Sequence, residues 1–384
     1  MKVVLINIVK FIVNAIYYIF KIFPAKKQIL FMSMQANSKS LDFELLSKEI
    51  EKNDSSIKQV FLCKKMESSL SSKKQYISYI FNMIGYFFKA MYYLSTSKVC
   101  ITESYIVPLS ILKHKKMLKI IQIWHASGAV KKFGYQSLDT EEGKSSEIAK
   151  LMCMHKNYDY AIAPSKVTKK IFSEAFNMPE DKILMYGLPR LEYISNKKYD
   201  KSDGIYKDYP ELKNKKIILY VPTFRKGKKA NLSEILDYKL DKEKYKLIIR
   251  LHPLEIDCTP EEYKINSKYT TYDLIKIADY IITDYSILSI EASILNKPIF
   301  LYLYDFDEYK KNRGVNIKLE EELKTFTTFK FCDIMRKIEK NDFNMEEIKK
   351  YRNKYIEIDT ENATLKLSEM IINLLHGKEA SDEI

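Results

Sequence analysis

The sequence predicts an α/β protein made of two Rossmann-like domains, each built around a parallel sheet. Apolar runs of four to eight residues alternate with helix-length amphipathic segments along most of the chain. Nearly continuous Ile, Val and Leu strands separated by helices are typical of parallel sheets that are buried on both faces. In addition, 384 residues exceed the length of one ordinary core, which favours two domains.

The predicted strands form two series along the chain. The first series comprises residues 28–34, 60–63, 99–102, 120–124, 160–163 and 183–186, and the second comprises 217–221, 247–251, 280–283 and 299–304. Between them, residues 196–208 are rich in Lys, Asp and Ser and poor in apolar side chains, which predicts an interdomain linker. We therefore predict an amino-terminal domain over 26–195, a carboxyl-terminal domain over 209–384 with a terminal helix at 365–375, and a separate segment at 1–25.

The overall charge and the cysteines limit the function classes. The net charge of +14 and the pI near 9.1 suit phosphate-rich or anionic membrane partners, although a lysine-rich surface from an A+T-rich genome would give the same values. The cysteines lack C-x-x-C spacing, which argues against a zinc site or a disulfide framework and for a reducing compartment. They are Cys63, Cys100, Cys153, Cys258 and Cys332, of which the first, second and fifth lie in apolar runs and are predicted to be core residues.

The amino-terminal segment predicts an amphipathic helix that lies on a membrane. Residues 2–23 are mostly apolar or aromatic, with polar exceptions at Asn7, Lys10, Asn14 and Lys21, a spacing that places them on one helical face. No acidic residue precedes Asp42, whereas six lysines do, which is the pattern of a helix in an anionic leaflet. A membrane span is disfavoured because the apolar stretch between Lys10 and Lys21 is only ten residues long, against about 20 for a span.

Two alternatives concern these apolar segments. The segment 2–23 could instead pack on the core of the protein itself. No small-residue cleavage site follows it, so we do not predict a secretory signal. The aromatic segment 78–94 has Lys89 as its only charge and predicts either a second membrane-facing helix or a core helix.

Seven short polar motifs follow the strand-like runs or lie in loops. They are residues 124–129 (WHASGA), 163–165 (APS), 186–190 (YGLPR), 221–225 (VPTFR), 250–253 (RLHP), 283–286 (TDYS) and 313–314 (RG). The carboxyl ends of parallel strands are where open α/β sheets bind their ligands. G-x-G-x-x-G and P-loop sequences are absent, which argues against NAD or FAD. Two Rossmann-like domains facing each other across a cleft is the GT-B arrangement of many nucleotide-donor transferases.

Two histidines follow predicted strands. His125 opens a glycine-containing loop, and a histidine there can accept a proton from an attacking hydroxyl at neutral pH. In the same loop, the backbone N–H groups of Ser127 and Gly128 and the cations of Lys131 and Lys132 could meet an acceptor or its phosphate.

The second histidine, His252, is followed by Pro253, which fixes the turn, and could stabilise charge on a leaving nucleotide. Its alternative is a structural histidine that caps the sheet. Thr223 and Arg225 combine a hydroxyl with a guanidinium, which suits a diphosphate. Asp284 and Ser286 open a predicted helix, whose amino terminus would either bind phosphate or simply be capped by the serine.

The order of these motifs resembles the CDP-glycerol glycerophosphotransferase family of teichoic acid polymerases and primases, from about residue 1 to beyond 370. The resemblance implies the GT-B fold, with His125 as catalytic base and His252 at the donor diphosphate. It further implies donor-binding residues at Gly187, Pro189, Arg190, Thr223, Arg225, Pro253, Asp284, Ser286, Glu291 and Arg313. Glu291 is where GT-B enzymes place an acid on the ribose, and Arg313 ends an acidic-aromatic loop that would hold the polyol phosphate. Ala126 replaces a glycine of the long-chain polymerases and is more similar to the primase-type and ribitol-type members.

The implied reaction moves a polyol phosphate, with glycerol phosphate as the first choice, from CDP-glycerol or CDP-ribitol to an undecaprenyl-diphosphate-linked acceptor, releasing CMP. No cofactor is required, although Mg²⁺ could assist, and no metal ligand cluster or nucleic-acid motif is evident. The expected location is peripheral, on the cytoplasmic face of the cell membrane. The sequence leaves open whether the donor carries glycerol or ribitol and whether the protein primes or elongates the polymer. It also leaves open whether the polymer is wall teichoic acid or capsule, and what the oligomeric state is.

Two other function classes were weighed against this one. The first is a GT-B glycosyltransferase that uses a nucleotide sugar. The second is a basic membrane- or nucleic-acid-binding scaffold, which would leave both strand-end histidines without a role.

Overall fold

The computed structural model describes residues 2–65, 72–141, 143–225, 232–251, 259–312 and 314–382. The chain divides into two units by its internal contacts. Unit 1 comprises Met1–Ala126, Phe133–Arg190 and Asn362–Ile384, and unit 2 comprises Ser127–Lys132 and Leu191–Glu361. The short segment Ser127–Lys132, which begins two residues after His125, therefore belongs to a different unit from the histidine.

Unit 1 contains a parallel sheet of six strands among its described residues. The strands are β1 Gln28–Ser33, β2 Lys58–Cys63, β3 Val99–Thr102, β4 Lys119–Gln122, β5 Tyr160–Ala163 and β6 Ile183–Met185, in the spatial order β2-β1-β3-β4-β5-β6. Every residue of β1, β3 and β5 is buried. Burial on both faces explains why these strands are continuous apolar runs in the sequence.

The helices of unit 1 surround this sheet. They are α1 Lys2–Phe20, α2 Leu41–Asn53, α3 Lys73–Thr96, α4 Val107–Ile111, α5 Ser146–Leu151, α6 Lys166–Phe176 and, at the end of the chain, α16 Ala363–Leu375. α2 begins at Ser40, whose hydroxyl accepts a hydrogen bond from the backbone N–H of Phe43. α16 packs on α2, where the Asn53 amide donates to the Ser368 hydroxyl at 3.0 Å.

Unit 2 contains a parallel sheet of five strands among its described residues. They are β7 Lys216–Tyr220, β8 Tyr245–Ile249, β9 Tyr280–Thr283, β10 Ile299–Tyr302 and β11 Thr327–Thr328, in the spatial order β11-β10-β9-β7-β8. Helix α7, Pro189–Ser195, carries the chain from unit 1 into unit 2. The other helices are α8 Ser202–Asp208, α9 Ser233–Leu236, α10 Thr271–Ile277, α11 Leu288–Ser293, α12 Phe306–Asn312, α13 Leu319–Glu322, α14 Phe331–Lys340 and α15 Met345–Tyr355.

The structure confirms the predicted α/β class with two parallel sheets. All ten predicted strands are present, with ends that differ by at most two residues from the predicted ones. The additional strand β11 is only two residues long, so it carries no detectable apolar pattern. The terminal helix predicted at 365–375 is α16.

Three details differ from the sequence-based expectation. The predicted linker 196–208 is folded in unit 2, because α8 buries Ile205. Residues 362–384 group with unit 1, whereas the sequence assigned them to the carboxyl-terminal domain; the predicted domain boundaries otherwise stay predictions. Cys332 is exposed, so the expectation that it lies in the core is wrong: the buried side of α14 is formed by Phe331, Ile334, Met335 and Ile338.

Helix α1 is attached to unit 1 by its polar side. The Lys10 ammonium donates to the backbone oxygen of Leu151 at 2.8 Å. The Asn14 amide donates to the Ile111 oxygen at 3.1 Å and accepts from the Lys113 N–H at 2.8 Å. The polar face that the sequence predicted therefore docks the helix on the protein.

The opposite side of α1 is apolar and exposed, and α3 presents a similar surface. Phe11 and Tyr18 on α1 are 76% and 72% exposed, and Phe81 on α3 is 69% exposed. The carboxyl-terminal half of α3 is buried in the core through Tyr86, Met91 and neighbouring side chains. Within the described residues, the window Val3–Phe20 is long and apolar enough to cross a membrane by length and composition alone, so length does not exclude a span. The interfacial role of α1 stays a prediction.

Candidate active site

The order of strands in unit 1 places a topological switch point between β1 and β3. From β1 the chain continues to β2 on one side and then returns to β3 on the other. In open α/β sheets, the crevice beyond the carboxyl ends of such strands is the usual ligand site. Ser33 ends β1, Glu103 directly follows β3, and His125 lies three residues beyond β4, the neighbour of β3.

The backbone that leads to His125 has an unusual conformation. Trp124 has a φ of +57°, which is rare for a bulky side chain because its Cβ crowds the backbone. The indole stacks on Phe133 with ring centroids 4.7 Å apart and meets the edge of Phe176 at 5.3 Å. This aromatic packing holds the turn that presents His125 beyond the strand.

A backbone carbonyl determines which nitrogen of His125 carries the proton. Nδ1 of His125 lies 3.0 Å from the backbone oxygen of Glu103 and, at the longer distance of 3.4 Å, from the side-chain nitrogen of Gln35. The shorter contact is with a carbonyl oxygen, which only accepts, so we assign the proton to Nδ1 and the lone pair to Nε2. Burial lowers the pKa of His125 to about 4, so the ring is neutral at pH 7. A neutral imidazole with an unprotonated Nε2 can accept a proton from a hydroxyl.

A buried ion pair holds the backbone of the same histidine. The guanidinium of Arg190 donates to the Asp42 carboxylate through Nε at 2.7 Å and through Nη2, and the Arg190 backbone N–H reaches the other carboxylate oxygen at 2.8 Å. Arg190 Nη1 then donates to the backbone oxygen of His125 at 2.7 Å. The structure thus brings Arg190 to His125, while its predicted contact with the donor stays a prediction.

Gly187 and Pro189 lie in unit 1 beside this arginine. Gly187 is in the buried loop that follows β6, and Pro189 is the first residue of α7. Proline is favoured at the first helical position because its missing N–H would have no partner there. Their predicted contact with the donor stays a prediction.

The second sheet has its own switch point, between β7 and β9, and three predicted donor-binding residues meet there. The Thr223 N–H donates to both carboxylate oxygens of Asp284, at 2.9 and 3.1 Å. Arg225 Nη1 pairs with Asp284 at 2.9 Å, and its Nε and Nη2 pair with Asp305 at 2.6 and 3.0 Å. The guanidinium thus ties together the loops that follow β7, β9 and β10.

Aromatic rings cover this ion-pair cluster. Tyr285 and Tyr309 stack with centroids 3.8 Å apart and planes 5° from parallel. The Arg225 guanidinium carbon lies 5.0 Å from the centre of the Tyr304 ring, and the Lys131 ammonium lies 5.4 Å from that of Tyr309. Cations and aromatic faces are therefore concentrated at the carboxyl end of the second sheet.

Ser286 and Glu291 both make contacts within unit 2. The Ser286 hydroxyl accepts from the Leu288 N–H at 3.2 Å, but the N-cap of α11 is Ile287 without a side-chain capping bond, so the capping role of Ser286 stays a prediction. The buried Glu291 carboxylate accepts from the Ser127 hydroxyl at 3.0 Å and from the Tyr272 hydroxyl at 3.0 Å. Their predicted contacts with the nucleotide stay predictions.

The predicted acceptor residues after His125 are paired with a later segment of unit 2. Lys131 forms an antiparallel bridge with Val315, and the Lys132 N–H donates to the Gly314 oxygen at 3.3 Å. Gly128 is buried in the same segment. The four predicted acceptor residues therefore lie together in unit 2, which also contains Arg225 and Asp284. They are Ser127, Gly128, Lys131 and Lys132.

Three predicted residues, His252, Pro253 and Arg313, lie outside the described residues. Sequence reasoning missed Asp42 and Glu103. Glu103 directly follows a correctly predicted strand, so the strand-end criterion that selected His125 would have found it. Asp42 looks like an ordinary acid in the first turn of a helix. In the described ranges, no group of three or more His, Cys, Asp or Glu side chains could hold a metal ion.

Two units, each with a parallel sheet and polar residues at the strand ends, define an α/β protein with two Rossmann-like sheets. The chain belongs to the CDP-glycerol:poly(glycerophosphate) glycerophosphotransferase family, whose sequence model matches residues 15–373. It is accordingly a polyol-phosphate transferase of the phosphotransferase class. It is 33% identical over 329 residues to the teichoic acid ribitol-phosphate primase of Bacillus spizizenii, covering 82% of each chain. It is 30% identical over 368 residues to the teichoic acid glycerol-phosphate primase of Bacillus subtilis, covering 92% of this chain and 93% of that protein.

Solved structures with a similar fold include the wall teichoic acid polymerase TagF, with a TM-score of 0.73 and 22% identity over 97% of this chain and 95% of that one. A co-structure of Staphylococcus aureus MnaA with UDP has a TM-score of 0.58 and 12% identity, covering 94% of this chain and all of that one. At these identities the similarity concerns the fold alone.

Proposed function

We propose that this protein transfers a polyol phosphate, glycerol phosphate first, from a CDP-polyol to a hydroxyl of a lipid-linked acceptor, with CMP as the second product. The observation that carries the proposal is His125, neutral and held with Nε2 unprotonated at the end of β4. The GT-B arrangement, with the two domains facing each other, is part of this proposal.

In the proposed reaction, Nε2 of His125 takes the proton of the acceptor hydroxyl while the hydroxyl oxygen attacks the β-phosphorus. A bond forms between that oxygen and phosphorus, and the bond from phosphorus to the bridging oxygen breaks, so that CMP leaves with the electron pair. Catalysis then consists of positioning and electrostatic stabilisation. The groups proposed for the donor are the cations at the β7–β9 switch point together with His252, Ser286 and Arg313.

Support for a CDP-polyol donor comes from the family and from its members. The family description names CDP-glycerol, and a variant of TagF has been solved after soaking with CDPG. One relative is named a ribitol-phosphate primase and another a glycerol-phosphate primase, so ribitol is the second donor to test. A nucleotide sugar is the alternative donor from another reaction class.

The experiment offers purified protein CDP-glycerol, CDP-ribitol and a UDP-sugar, each with a soluble analogue of a lipid-linked acceptor, and measures nucleotide release and product mass. We expect CMP release and an acceptor heavier by one or more glycerol phosphate groups, and none of either with His125→Ala. Transfer of a sugar, or turnover only with CDP-ribitol, would contradict the proposal that CDP-glycerol is the donor.

We further propose that unit 1 lies peripherally on an anionic membrane at the cytoplasmic face. The exposed side of α1 and the first half of α3 carry most of the large apolar side chains that are exposed in the described residues. Lysines flank both helices, including Lys21, Lys26, Lys73 and Lys74. Apolar burial combined with lysine attraction is how interfacial helices bind anionic leaflets.

Point substitutions test this surface without removing α1, whose polar side docks on the protein. Phe11→Ser with Phe81→Ser should weaken cosedimentation with anionic vesicles, and the binding that remains should fall further as salt rises. Phe329→Ser is the matched control, since Phe329 is 55% exposed but lies in unit 2. If the double variant cosediments as fully as the control, the proposed surface is not the membrane contact.

A further inference from the structure

We propose that Glu103 is a positioning residue that determines which nitrogen of His125 accepts the proton. Its backbone carbonyl holds the Nδ1–H, and its buried side chain holds that carbonyl in place. The inference rests on the proposed role of His125 as the base, and it assigns a role to the buried side chain of Glu103 in addition to its carbonyl.

The side chain of Glu103 is bound at both carboxylate oxygens. The Ser33 hydroxyl donates to one oxygen at 2.5 Å, and the Ser40 hydroxyl donates to the other at 2.6 Å. Ser33 ends β1 and Ser40 caps α2, so the carboxylate joins the residue after β3 to two neighbouring elements. Glu103 is 1% exposed.

The direction of these hydrogen bonds is fixed by a further layer. The Ser33 hydroxyl also accepts from the Gln35 N–H at 3.1 Å, and the Ser40 hydroxyl accepts from the Phe43 N–H at 3.3 Å. Each hydroxyl therefore accepts a backbone N–H and donates its own proton to Glu103. An acceptor-only carboxylate satisfies both donors, whereas an amide offers just one acceptor oxygen.

Placement at the switch point explains why this network acts on His125. The hydrogen bonds of Ser33 and Ser40 to Glu103 lie at the carboxyl ends of β1 and β3. They hold the Glu103 carbonyl 3.0 Å from Nδ1 of His125. If that carbonyl moves away, the Nδ1–H tautomer loses the hydrogen bond that favours it. Part of the histidine population then carries its proton on Nε2, which cannot accept the proton of a hydroxyl. The bond that a histidine makes through one nitrogen sets the state of the other.

The charged and titratable groups around Glu103 are Asp42 and Arg190, with Cys63 at the end of β2, which β1 separates from β3. Burial raises the pKa of Glu103, Asp42 raises it further, and Arg190 and the two hydroxyl donors lower it. The pH dependence of kcat is therefore measured for the Glu103 variants, the parent and His125→Gln. The comparison identifies any shift of the profile that these neighbouring charged groups cause.

The test compares Glu103→Ala and Glu103→Gln with Glu322→Gln, a matched loss of a carboxylate that accepts from the Tyr355 hydroxyl in unit 2. We expect Glu103→Ala to lower kcat roughly 10- to 100-fold with the donor KM within about two-fold, because misplacement of a reacting group acts on the chemical step. Glu103→Gln should recover part of kcat, and Glu322→Gln should match the parent.

Nitrogen-15 NMR of labelled histidine rings gives a readout that a purely structural role would not move. The chain has five histidines, and the His125 signals are identified by their loss in His125→Gln. The parent should show the Nδ1–H form at pH 7, and Glu103→Ala should show a mixture of both neutral forms. If Glu103→Ala does not fold, Ser33→Ala with Ser40→Ala removes both donors and should produce the same mixture.

The proposal is overturned if a folded variant of either kind keeps the single Nδ1–H form, or if kcat stays within two-fold of the parent while only the melting temperature falls. Failure of the proposed function is distinguishable from this, because His125→Gln would then retain turnover irrespective of Glu103.

Discussion

Removing Asp42 should destabilise unit 1 strongly, because it would leave the Arg190 guanidinium buried without its anion. The Asp42 side chain is fully buried and that of Arg190 is 10% exposed. Loss of one partner from such a pair costs about 3–5 kcal/mol in the free energy of unfolding. For a unit of this size, that corresponds to a fall in Tm on the order of 10 °C.

The chain offers a selective assay and a matched control. Its single tryptophan, Trp124, lies in unit 1, so indole fluorescence during urea unfolding reports on that unit. Glu44→Ala on the same helix removes an acid whose partner Lys48 is 68% exposed, and should cost less than about 1 kcal/mol. A second variant, Asp42→Leu with Arg190→Met, replaces the whole pair by apolar groups and should recover most of the loss.

The reasoning is refuted if Asp42→Ala unfolds within about 1 kcal/mol of the parent and of the Glu44→Ala control. It would also fail if the double variant were no more stable than Asp42→Ala, because the unpaired charge would then not be the cause.

Four further predictions concern the site and the stability of the two units. His125→Ala should lower CMP release roughly 10²- to 10⁴-fold while calorimetry finds the same affinity for CDP-glycerol, and activity within a few-fold of the parent would exclude the histidine as base. Because burial lowers the pKa of His125 to about 4, the acidic limb of kcat/KM should lie near pH 4, and a limb between pH 6 and 7 would contradict this. Burial also lowers the folded pKa of His114 to about 4 and that of His155 to about 3. Their contribution to the stability of unit 1 should therefore be fully present above the unfolded pKa near 6.5 and be lost as the pH falls toward 4. The urea midpoint, measured as a function of pH, tests this. Arg225→Ala should weaken CDP-glycerol binding and destabilise unit 2, since two carboxylates lose their cation; unchanged values of both would remove it from the site.

The sequence was sufficient to predict the strands of both sheets and the position of His125 at the end of a strand. Buried parallel strands are continuous apolar runs, and a polar residue after such a run falls at the carboxyl edge where ligands bind. The same logic placed Thr223 and Asp284 after strands that prove to be neighbours, and the structure joins them by hydrogen bonds.

What the sequence did not reveal depends on contacts between distant segments. The pairing of Asp42 with Arg190 joins residues 148 positions apart, and nothing local in α2 marks the acid as a buried partner. Likewise, the spacing of Lys10 and Asn14 correctly put them on one helical face, but only the docked structure shows that this face meets the protein. Periodicity defines a face without stating what covers it.

The return of α16 to unit 1 has a consequence for biosynthesis. Leu367, Ile371 and Leu374 are buried on that helix, and the Asp382 carboxylate accepts from the Met185 N–H at 2.7 Å. Unit 2 lies almost entirely within 191–361, so its residues are synthesised before those of α16. During translation, α2 therefore still exposes the surface that α16 later covers until nearly the whole chain has been made. Until then, the nascent chain presents apolar surface to chaperones, and a stop codon shortly before residue 362 would leave that surface exposed permanently.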